Sequence, residues 1–130
     1  MDYSLDIEEL KEIPFDKYQK DFSFIVNGKE FSTNRFLADL LSPIIRRAHY
    51  QDSSINTFSI SNEDIDIDKE ELTEHPLETY FSDFLSLGNY SKITIDDTRQ
   101  KYYSSYFYAL GNSKEYFRLR REYFEGITID

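Results

Sequence analysis

The sequence predicts an α+β domain: a small mixed sheet with an N-terminal hairpin, flanked by a cluster of about five to six helices. Residues 21–45, DFSFIVNGKEFSTNRFLADLLSPII, change from alternating apolar residues to helical spacing within one short stretch. Further along, strand-like runs at 55–60 and 91–95 are separated by apolar stripes of helical period. Strands and helices mixed in this irregular order indicate the α+β class.

The first element of the predicted sheet is a β-hairpin. Apolar side chains alternate along residues 22–26, as they do in a strand with one buried face. Asn27 and Gly28 both tolerate a positive φ, which a type I′ turn requires at its two central positions. Residues 29–33 then return as the second strand, with Phe31 facing the core.

Two short helices are predicted after the hairpin. Asn34 is a suitable N-cap for the first, and Ser42 with Pro43 ends that helix and begins the second. The apolar stripe consists of Phe36, Leu37, Leu40, Leu41, Ile44 and Ile45. It is wider than the roughly 100° of face that a helix needs for its own core. We therefore expect part of it to face a second element, which the N-terminal segment supplies in cis or from another chain.

The middle of the chain is predicted to contain one strand, an acidic loop and a helix. Residues 55–60, INTFSI, alternate as a third strand, and the acid-rich residues 61–75 are expected to form a solvated loop. Pro76 opens the helix, and Gly88 is placed at its C′ position.

The last third of the chain is predicted to form a short strand at 91–95 and two helices. Asp96 or Asp97 caps the first helix, which Gly111 closes. A second helix begins at Asn112, where Glu115 completes a pattern like a capping box. We expect that helix to end at Gly126, and its apolar residues are Tyr116, Phe117, Leu119, Tyr123 and Phe124.

The chain divides into an N-terminal extension, residues 1–20, and a domain, residues 21–130. Within the extension, residues 4–13 carry apolar side chains among acids and predict a short amphipathic helix that Pro14 ends. The apolar side of the extension includes Ile7, Leu10, Ile13, Phe15 and Tyr18. This side must be buried, either on its own domain or on a partner.

Composition excludes several classes of function. The formal net charge of −10 opposes binding to nucleic acid or to an anionic membrane surface. The absence of cysteine excludes a disulfide framework, a thiolate metal site and a cysteine nucleophile. The acidic N-terminus has no apolar core typical of a secretory signal, and no apolar run is long enough to span a bilayer. We expect an intracellular location, in the cytoplasm, with the nucleus not excluded.

The sequence contains no motif that indicates catalysis or metal binding. Counted from Asp64, the sixth and twelfth positions that an EF-hand loop needs as glycine and carboxylate are Lys69 and His75. Neither His49 nor His75 has a histidine or carboxylate four residues away that also falls in a well-formed predicted helix. The sequence contains no nucleophile elbow and no phosphate-binding glycine loop. We therefore expect no enzyme activity, no cofactor and no metal.

A basic cluster on the last helix contrasts with the acidic chain. It consists of Lys114, Arg118, Arg120 and Arg121. Such a cluster can meet phosphate, but in this composition it is expected to meet acidic groups of this chain or of a partner.

The order of residues 21–45 resembles the opening of a BTB/POZ domain. That family typically begins with an Asp, an apolar strand, a tight turn, a second strand that ends in Phe, and a helix closed by Ser. Here Asp21, Phe24-Ile25-Val26, Asn27-Gly28, Phe31 and Ser42-Pro43 fall in that register. Asn34 stands where the family often has His. The resemblance covers residues 21–124 and is greatest to BTB-like modules that precede ankyrin or other repeats in some protist proteins.

The resemblance implies a protein–protein interaction module that homodimerises and recruits partners. BTB domains commonly dimerise through the first helix and the segment before the first strand. An alternative within the fold is a cullin adaptor, since Phe81-Ser82-Asp83 is similar to a cullin-binding pattern with Asp in place of Glu. An alternative of another class is a small ligand-binding or catalytic domain with no recognisable motif. The predicted interface residues are Ile7, Leu10, Ile13, Phe36, Leu40, Phe81 and Asp83.

Overall fold

The computed structural model describes residues 1–5, 17–89 and 93–128, with the backbone alone at residue 89 and at residues 126–128. Most of the predicted N-terminal helix over residues 4–13 lies outside these ranges, as does part of the predicted strand at 91–95. The described part has six α-helices and two small sheets, which confirms the α+β class. None of its helices has the length and apolar character needed to cross a membrane.

The larger sheet is built on the predicted hairpin. Strand β2 (Phe22–Val26) pairs antiparallel with β3 (Lys29–Thr33), and Phe24 lies opposite Phe31. Strand β4 (Thr57–Ile60) pairs parallel with the other side of β2, so the strand order is β3-β2-β4. A parallel pair needs a long crossover between its strands. Two helices form most of that crossover.

These crossover helices are α1 (Arg35–Leu41) and α2 (Pro43–Gln51), and both begin where the sequence predicts. The Asn34 side chain accepts a hydrogen bond from the Leu37 amide at 2.9 Å, which confirms the N-cap. Ser42 accepts from the amide of Ile45 at 3.1 Å, with Pro43 at the first helical position. The local sequence therefore determines where α1 and α2 begin.

The segment after β4 is more ordered than the predicted solvated loop. A 3₁₀ turn covers Asn62–Asp64, and a helix, α3, covers Lys69–Glu74. Ile67 and Leu72 from this segment are buried in the core. The prediction of a loop is wrong for residues 62–64 and 69–74, which are helical, whereas all side chains of residues 61–75 except Ile67 and Leu72 stay exposed or half-buried. Two apolar side chains among many acids are enough to dock a short helix.

Past Pro76 the chain forms short turns of helix instead of one continuous helix. A 3₁₀ turn at Leu77–Tyr80 leads into α4 (Phe81–Leu85), and a second 3₁₀ turn covers Ser86–Asn89. Gly88 lies within that second turn without a positive φ, so the predicted C′ role is wrong. A Cβ at Gly88 would lie 2.6 Å from the Leu37 side chain, so glycine is needed for close packing against α1.

The last two helices form an antiparallel pair joined by a tight corner. Helix α5 (Asp97–Ala109) is capped by Asp96, whose side chain accepts from the Arg99 amide at 2.8 Å. Gly111, at φ 72°, closes α5 in a Schellman motif, in which the Asn112 amide donates to the Phe107 carbonyl at 2.9 Å.

Helix α6 (Ser113–Thr128) starts at the predicted cap but runs past the predicted stop. The Asn112 side chain accepts from the Glu115 amide at 3.1 Å, which confirms the cap. The backbone stays helical through Gly126 to Thr128, so the prediction of an end at Gly126 is wrong. One glycine costs about 1 kcal/mol in a helix, which does not suffice to end it.

The first residues of the chain are joined to the domain. Strand β1 (Asp2–Tyr3) pairs antiparallel with β5 (Ile93–Thr94). The Tyr3 hydroxyl donates to the buried Glu115 carboxylate, and the Arg118 guanidinium lies 4.6 Å from the centre of the Tyr3 ring. Tyr3 and Leu5 are buried in the core. The predicted domain boundary at residue 20 stays a prediction, but residues 1–5 pack with the domain.

The core between the sheet and the helices is dominated by aromatic rings. Phe81 at the start of α4 packs edge-on or tilted against rings from β2, β3, α4 and α5 at centroid distances of 5.0–5.5 Å. The fully buried aromatic residues are Tyr3, Phe24, Phe81, Phe84, Tyr102, Tyr103, Tyr106 and Phe107.

Candidate protein-interaction surfaces

Among the predicted interface residues that the structure describes, Phe36 is the one that presents a large apolar side chain to solvent. Its side chain is 57% exposed, although it belongs to the apolar stripe of α1. Leu40, one turn later, is half-buried against the core. Ile7, Leu10 and Ile13 lie outside the described residues.

Phe36 is joined by an aromatic residue from the end of the N-terminal extension. The ring centroids of Tyr18 and Phe36 are 5.4 Å apart, and Tyr18 is 42% exposed. Tyr18, Phe36 and Leu40 are called the Phe36 surface below. Beside it, Tyr18 lines a groove of about 500 Å³ that runs along the edge strand β3 to α4. The Phe36 surface is therefore apolar and accessible.

The two residues from the cullin-like pattern are in different environments. Phe81 is fully buried, so its side chain contacts the core and not solvent. The Asp83 side chain is exposed, and its carboxylate lies 3.8 Å from the Arg99 guanidinium. Of these two predicted interface residues, Asp83 is accessible to another molecule and the Phe81 side chain is not.

A second exposed surface lies on α5 and α6, where the sequence predicts the basic cluster but no exposed aromatic surface. Tyr108 and Phe117 are each 66% exposed, and Phe124 is 46% exposed. Tyr116 links Tyr108, at a centroid distance of 5.9 Å, to Phe117, at 5.1 Å. The Ile44 side chain from α2 lies against Gly111 at the edge of the same region. We call this the aromatic–arginine surface: Ile44, Tyr108, Tyr116, Phe117, Arg120 and Phe124.

Arg120 lies between two rings of the aromatic–arginine surface. Its guanidinium carbon is 5.5 Å from the Tyr116 ring centre and 5.4 Å from that of Phe124. Cation–π contacts of this kind hold a guanidinium over a ring face without using its hydrogen-bond donors. Neither Arg120 nor Arg121 forms an ion pair with any residue that the structure describes. The donors of Arg120 are therefore oriented and available.

Arg118, from the same predicted basic cluster, has a different role. It forms ion pairs with Glu115 at 2.7 Å and with Glu122 at 3.3 Å, and it donates to the Ser4 carbonyl at 2.5 Å. The prediction that the cluster meets acidic groups of this chain is confirmed for Arg118. Its neighbours on the helix, Arg120 and Arg121, point to other sides of α6.

The helical spacing of α6 indicates that one of its predicted apolar residues must lie outside the core. Phe117 and Leu119 are two positions apart, about 200° around a helix, so both cannot face the same core. Leu119 is fully buried, and Phe117 is exposed. Once Asn112 and Glu115 are placed on the buried side, Phe117 must point outward. Sequence spacing alone does not choose which of the two residues is buried.

The titratable groups whose pKa values rise most are tyrosines buried in the core. Burial raises the pKa of the Tyr102 hydroxyl to about 12, and it raises the pKa values of Tyr3, Tyr103 and Tyr106 further. Across the described ranges, no group of three or more His, Asp or Glu side chains is arranged to bind a metal ion.

No protein-family model matches this chain, and no curated protein shows significant similarity to it.

Proposed function

We propose that this protein is a protein–protein interaction domain of BTB/POZ type that forms a two-fold homodimer through the Phe36 surface. The supporting observation is the exposed contact between Phe36 and Tyr18. Exposed aromatic pairs are costly to hydrate and are enriched at the centre of protein interfaces. A two-fold contact, in which the same patch meets itself, is the commonest way in which identical chains associate.

The order of elements supports the BTB/POZ part of this proposal. An antiparallel hairpin leads into two short helices and a third strand beside the first, followed by a helix cluster. Asp21, the first residue of the family-like pattern, accepts a hydrogen bond from the Arg35 amide at 2.8 Å. It thus ties the start of the hairpin to the start of α1. Asn34, the residue that departs from the family pattern, is retained as the cap of that helix.

The path of the chain supports a contribution from the N-terminal extension. Residue 17 resumes the described chain directly before Tyr18, which contacts Phe36. The proposed contribution of Ile7, Leu10 and Ile13, which lie outside the described residues, rests on the apolar pattern of the sequence before Tyr18.

The test is the solution mass, measured by light scattering with chromatography at micromolar and higher concentrations. We expect the wild-type mass to correspond to two chains, and Phe36→Asp to give a folded monomer, because a buried unpaired carboxylate is costly. Tyr50→Asp is the matched control, since Tyr50 is 84% exposed on α2 outside the Phe36 surface. That control should remain dimeric.

A wild-type mass of one chain at the highest soluble concentration would overturn the proposal. If the folded Phe36→Asp variant is still a dimer, the interface lies on another surface, and the proposed role of the Phe36 surface is wrong. Circular dichroism of each variant establishes that the folds compared are the same.

A cullin adaptor is a second candidate, since Asp83 is exposed at the start of α4. A pull-down with a purified cullin N-terminal domain tests it. The adaptor role predicts retention by the wild-type domain and loss with Asp83→Lys, while Asp97→Lys, an exposed aspartate at the start of α5, should bind as the wild type does.

A further inference from the structure

We propose that the aromatic–arginine surface binds an acidic peptide segment that also carries apolar side chains. This surface lies on α2, α5 and α6 and shares no residue with the Phe36 surface. The inference therefore goes beyond self-association and does not depend on it.

The exposed rings indicate a docking surface. Tyr108 and Phe117 lie in one continuous region with Tyr116 and Phe124 through ring contacts and the Arg120 stack. Continuous exposed apolar regions on a small domain commonly mark binding sites, whereas single exposed residues do not. Tyrosine, phenylalanine and arginine are also the residue types enriched where proteins bind one another.

Charge selects an acidic occupant. The chain carries a net charge of −10, yet Arg120 and Arg121 on this side of α6 form no ion pair with the described residues. Arg120 is half-buried between two rings, so its interaction with a carboxylate is less screened than that of a fully exposed side chain. A guanidinium also matches a carboxylate with two parallel hydrogen bonds. A basic or neutral peptide would leave this group without a partner.

The shape of the surface accommodates two apolar anchors. One hollow of about 510 Å³ is lined by Phe117, Arg120, Arg121, Phe124 and Glu125. A second, smaller hollow of about 190 Å³ is lined by Tyr108, Gly111, Ser113, Tyr116 and Phe117. Phe117 borders both. A peptide that crosses Phe117 would place one apolar side chain in each hollow, with acidic residues near the arginines.

Acidic side chains limit how far such a peptide extends. Glu63, Asp64 and Asp66 line a neighbouring hollow together with Lys101 and Arg120. A peptide carboxylate placed in that hollow would be repelled by these three side chains. The carboxylates of the peptide are therefore directed toward Arg120 and Arg121, away from residues 63–66.

The experiment uses fluorescein-labelled peptides in which two phenylalanines are separated by two, three or four glutamates, with anisotropy as the readout. We expect at least one spacing to bind the full chain. Replacing the glutamates by glutamine should weaken that peptide about tenfold, because a charge-assisted hydrogen bond is lost. Replacing the phenylalanines by serine should abolish binding.

Variants of the protein locate the binding site. Arg120→Gln should weaken the same peptide about tenfold, and Phe117→Ser should weaken it by a similar factor. Arg46→Gln is the matched control, since Arg46 is an exposed arginine of α2 outside this surface. It should bind as the wild type does. Phe36→Asp should also keep the peptide, so loss of the dimer and loss of this site are distinguishable.

Three results of the peptide experiments would overturn the inference, and a fourth would come from a competing ligand. These are no binding at any spacing, equal binding of the glutamine peptide, or unchanged binding after both Arg120→Gln and Phe117→Ser. A single-stranded oligonucleotide of matched charge provides the alternative class of ligand. If it displaces the peptide more effectively than unlabelled peptide does, the surface binds nucleic acid and the proposal is wrong.

Discussion

At the scale of single residues, buried tyrosines connect the helices of this domain through their hydroxyls. Tyr106 on α5 donates to the Leu77 carbonyl at 2.5 Å, and Tyr102 donates to the His75 carbonyl. Each bond satisfies a carbonyl in the irregular segment between α3 and α4. The Tyr103 hydroxyl is buried with no hydrogen-bond partner among the described residues. Tyr102 and Tyr106 therefore pack in the apolar core and also hydrogen-bond to the irregular segment between α3 and α4.

The tyrosines predict a loss of stability in alkali. Burial raises the pKa of Tyr102 to about 12, whereas an unfolded tyrosine titrates near 10. Above about pH 10 the unfolded chain loses protons that the folded chain keeps, so the free energy of unfolding falls as pH rises. For Tyr102 the fall runs between about pH 10 and pH 12. Urea unfolding at pH 7 to 11, with tyrosinate absorbance on the native protein, measures both quantities.

Tyr103→Phe separates ionisation from hydrogen bonding, because burial raises the pKa of Tyr103 although its hydroxyl has no partner among the described residues. This variant should be at least as stable as the wild type at pH 7 and should lose less stability above pH 10. Equal alkaline slopes for the two proteins would contradict the prediction.

At the scale of elements, the β2–β3 hairpin is set by its two turn residues. Asn27 has φ 49° and Gly28 has φ 85°, the left-handed values that a type I′ turn requires. No atom lies within 4 Å of a Cβ built at Gly28, so only the backbone conformation demands glycine there. The Asn27 side chain also donates to Asn62 at 2.8 Å, which ties the turn to the segment after β4.

Gly28→Val is expected to destabilise the domain by about 1–2 kcal/mol, the cost of a left-handed conformation for a residue with a Cβ. Gly28→Asn is the matched control, since asparagine adopts this conformation readily, and it should be close to neutral. Urea denaturation measures both variants. Equal stability of the valine and asparagine variants would contradict the type I′ assignment.

At the scale of the whole molecule, charge opposes the self-association that the Phe36 surface favours. Two copies of a chain with net charge −10 repel one another over a distance that salt determines. The screening length is about 30 Å at 0.01 M salt and about 8 Å at 0.15 M. An apolar interface is little affected by the same change.

Added salt is therefore expected to tighten the dimer and to weaken binding of the acidic peptide at Arg120. The two effects have opposite signs because repulsion is screened in one case and attraction in the other. Sedimentation for the dimer and anisotropy for the peptide, at low and physiological salt, test this. A dimer that weakens with salt would indicate an ionic interface instead of the Phe36 surface.

The sequence by itself determined the features that depend on near neighbours. The hairpin turn at Asn27-Gly28, the caps at Asn34, Ser42 and Asn112, and the closure at Gly111 all follow from one or two residues and their backbone preferences. For the cap of α5 the sequence left Asp96 or Asp97 open, and the structure has Asp96. The α+β class follows from their order along the chain. The width of the helical stripe, also local information, predicted that part of it faces away from the core, and Phe36 is the exposed residue of the stripe on α1.

Only the tertiary structure decided which apolar side chains are buried. The acid-rich composition of residues 61–75 predicts a solvated loop, but Leu72 is buried in the core and residues 69–74 around it are helical. Phe81 is fully buried among the rings that surround it, and Phe117 is left exposed because Leu119 occupies the buried side of α6. The pairing of Tyr3 with β5 joins residues far apart in sequence. Burial depends on contacts between segments that are distant in sequence. A single sequence shows local conformational preferences but does not show which distant segments come into contact.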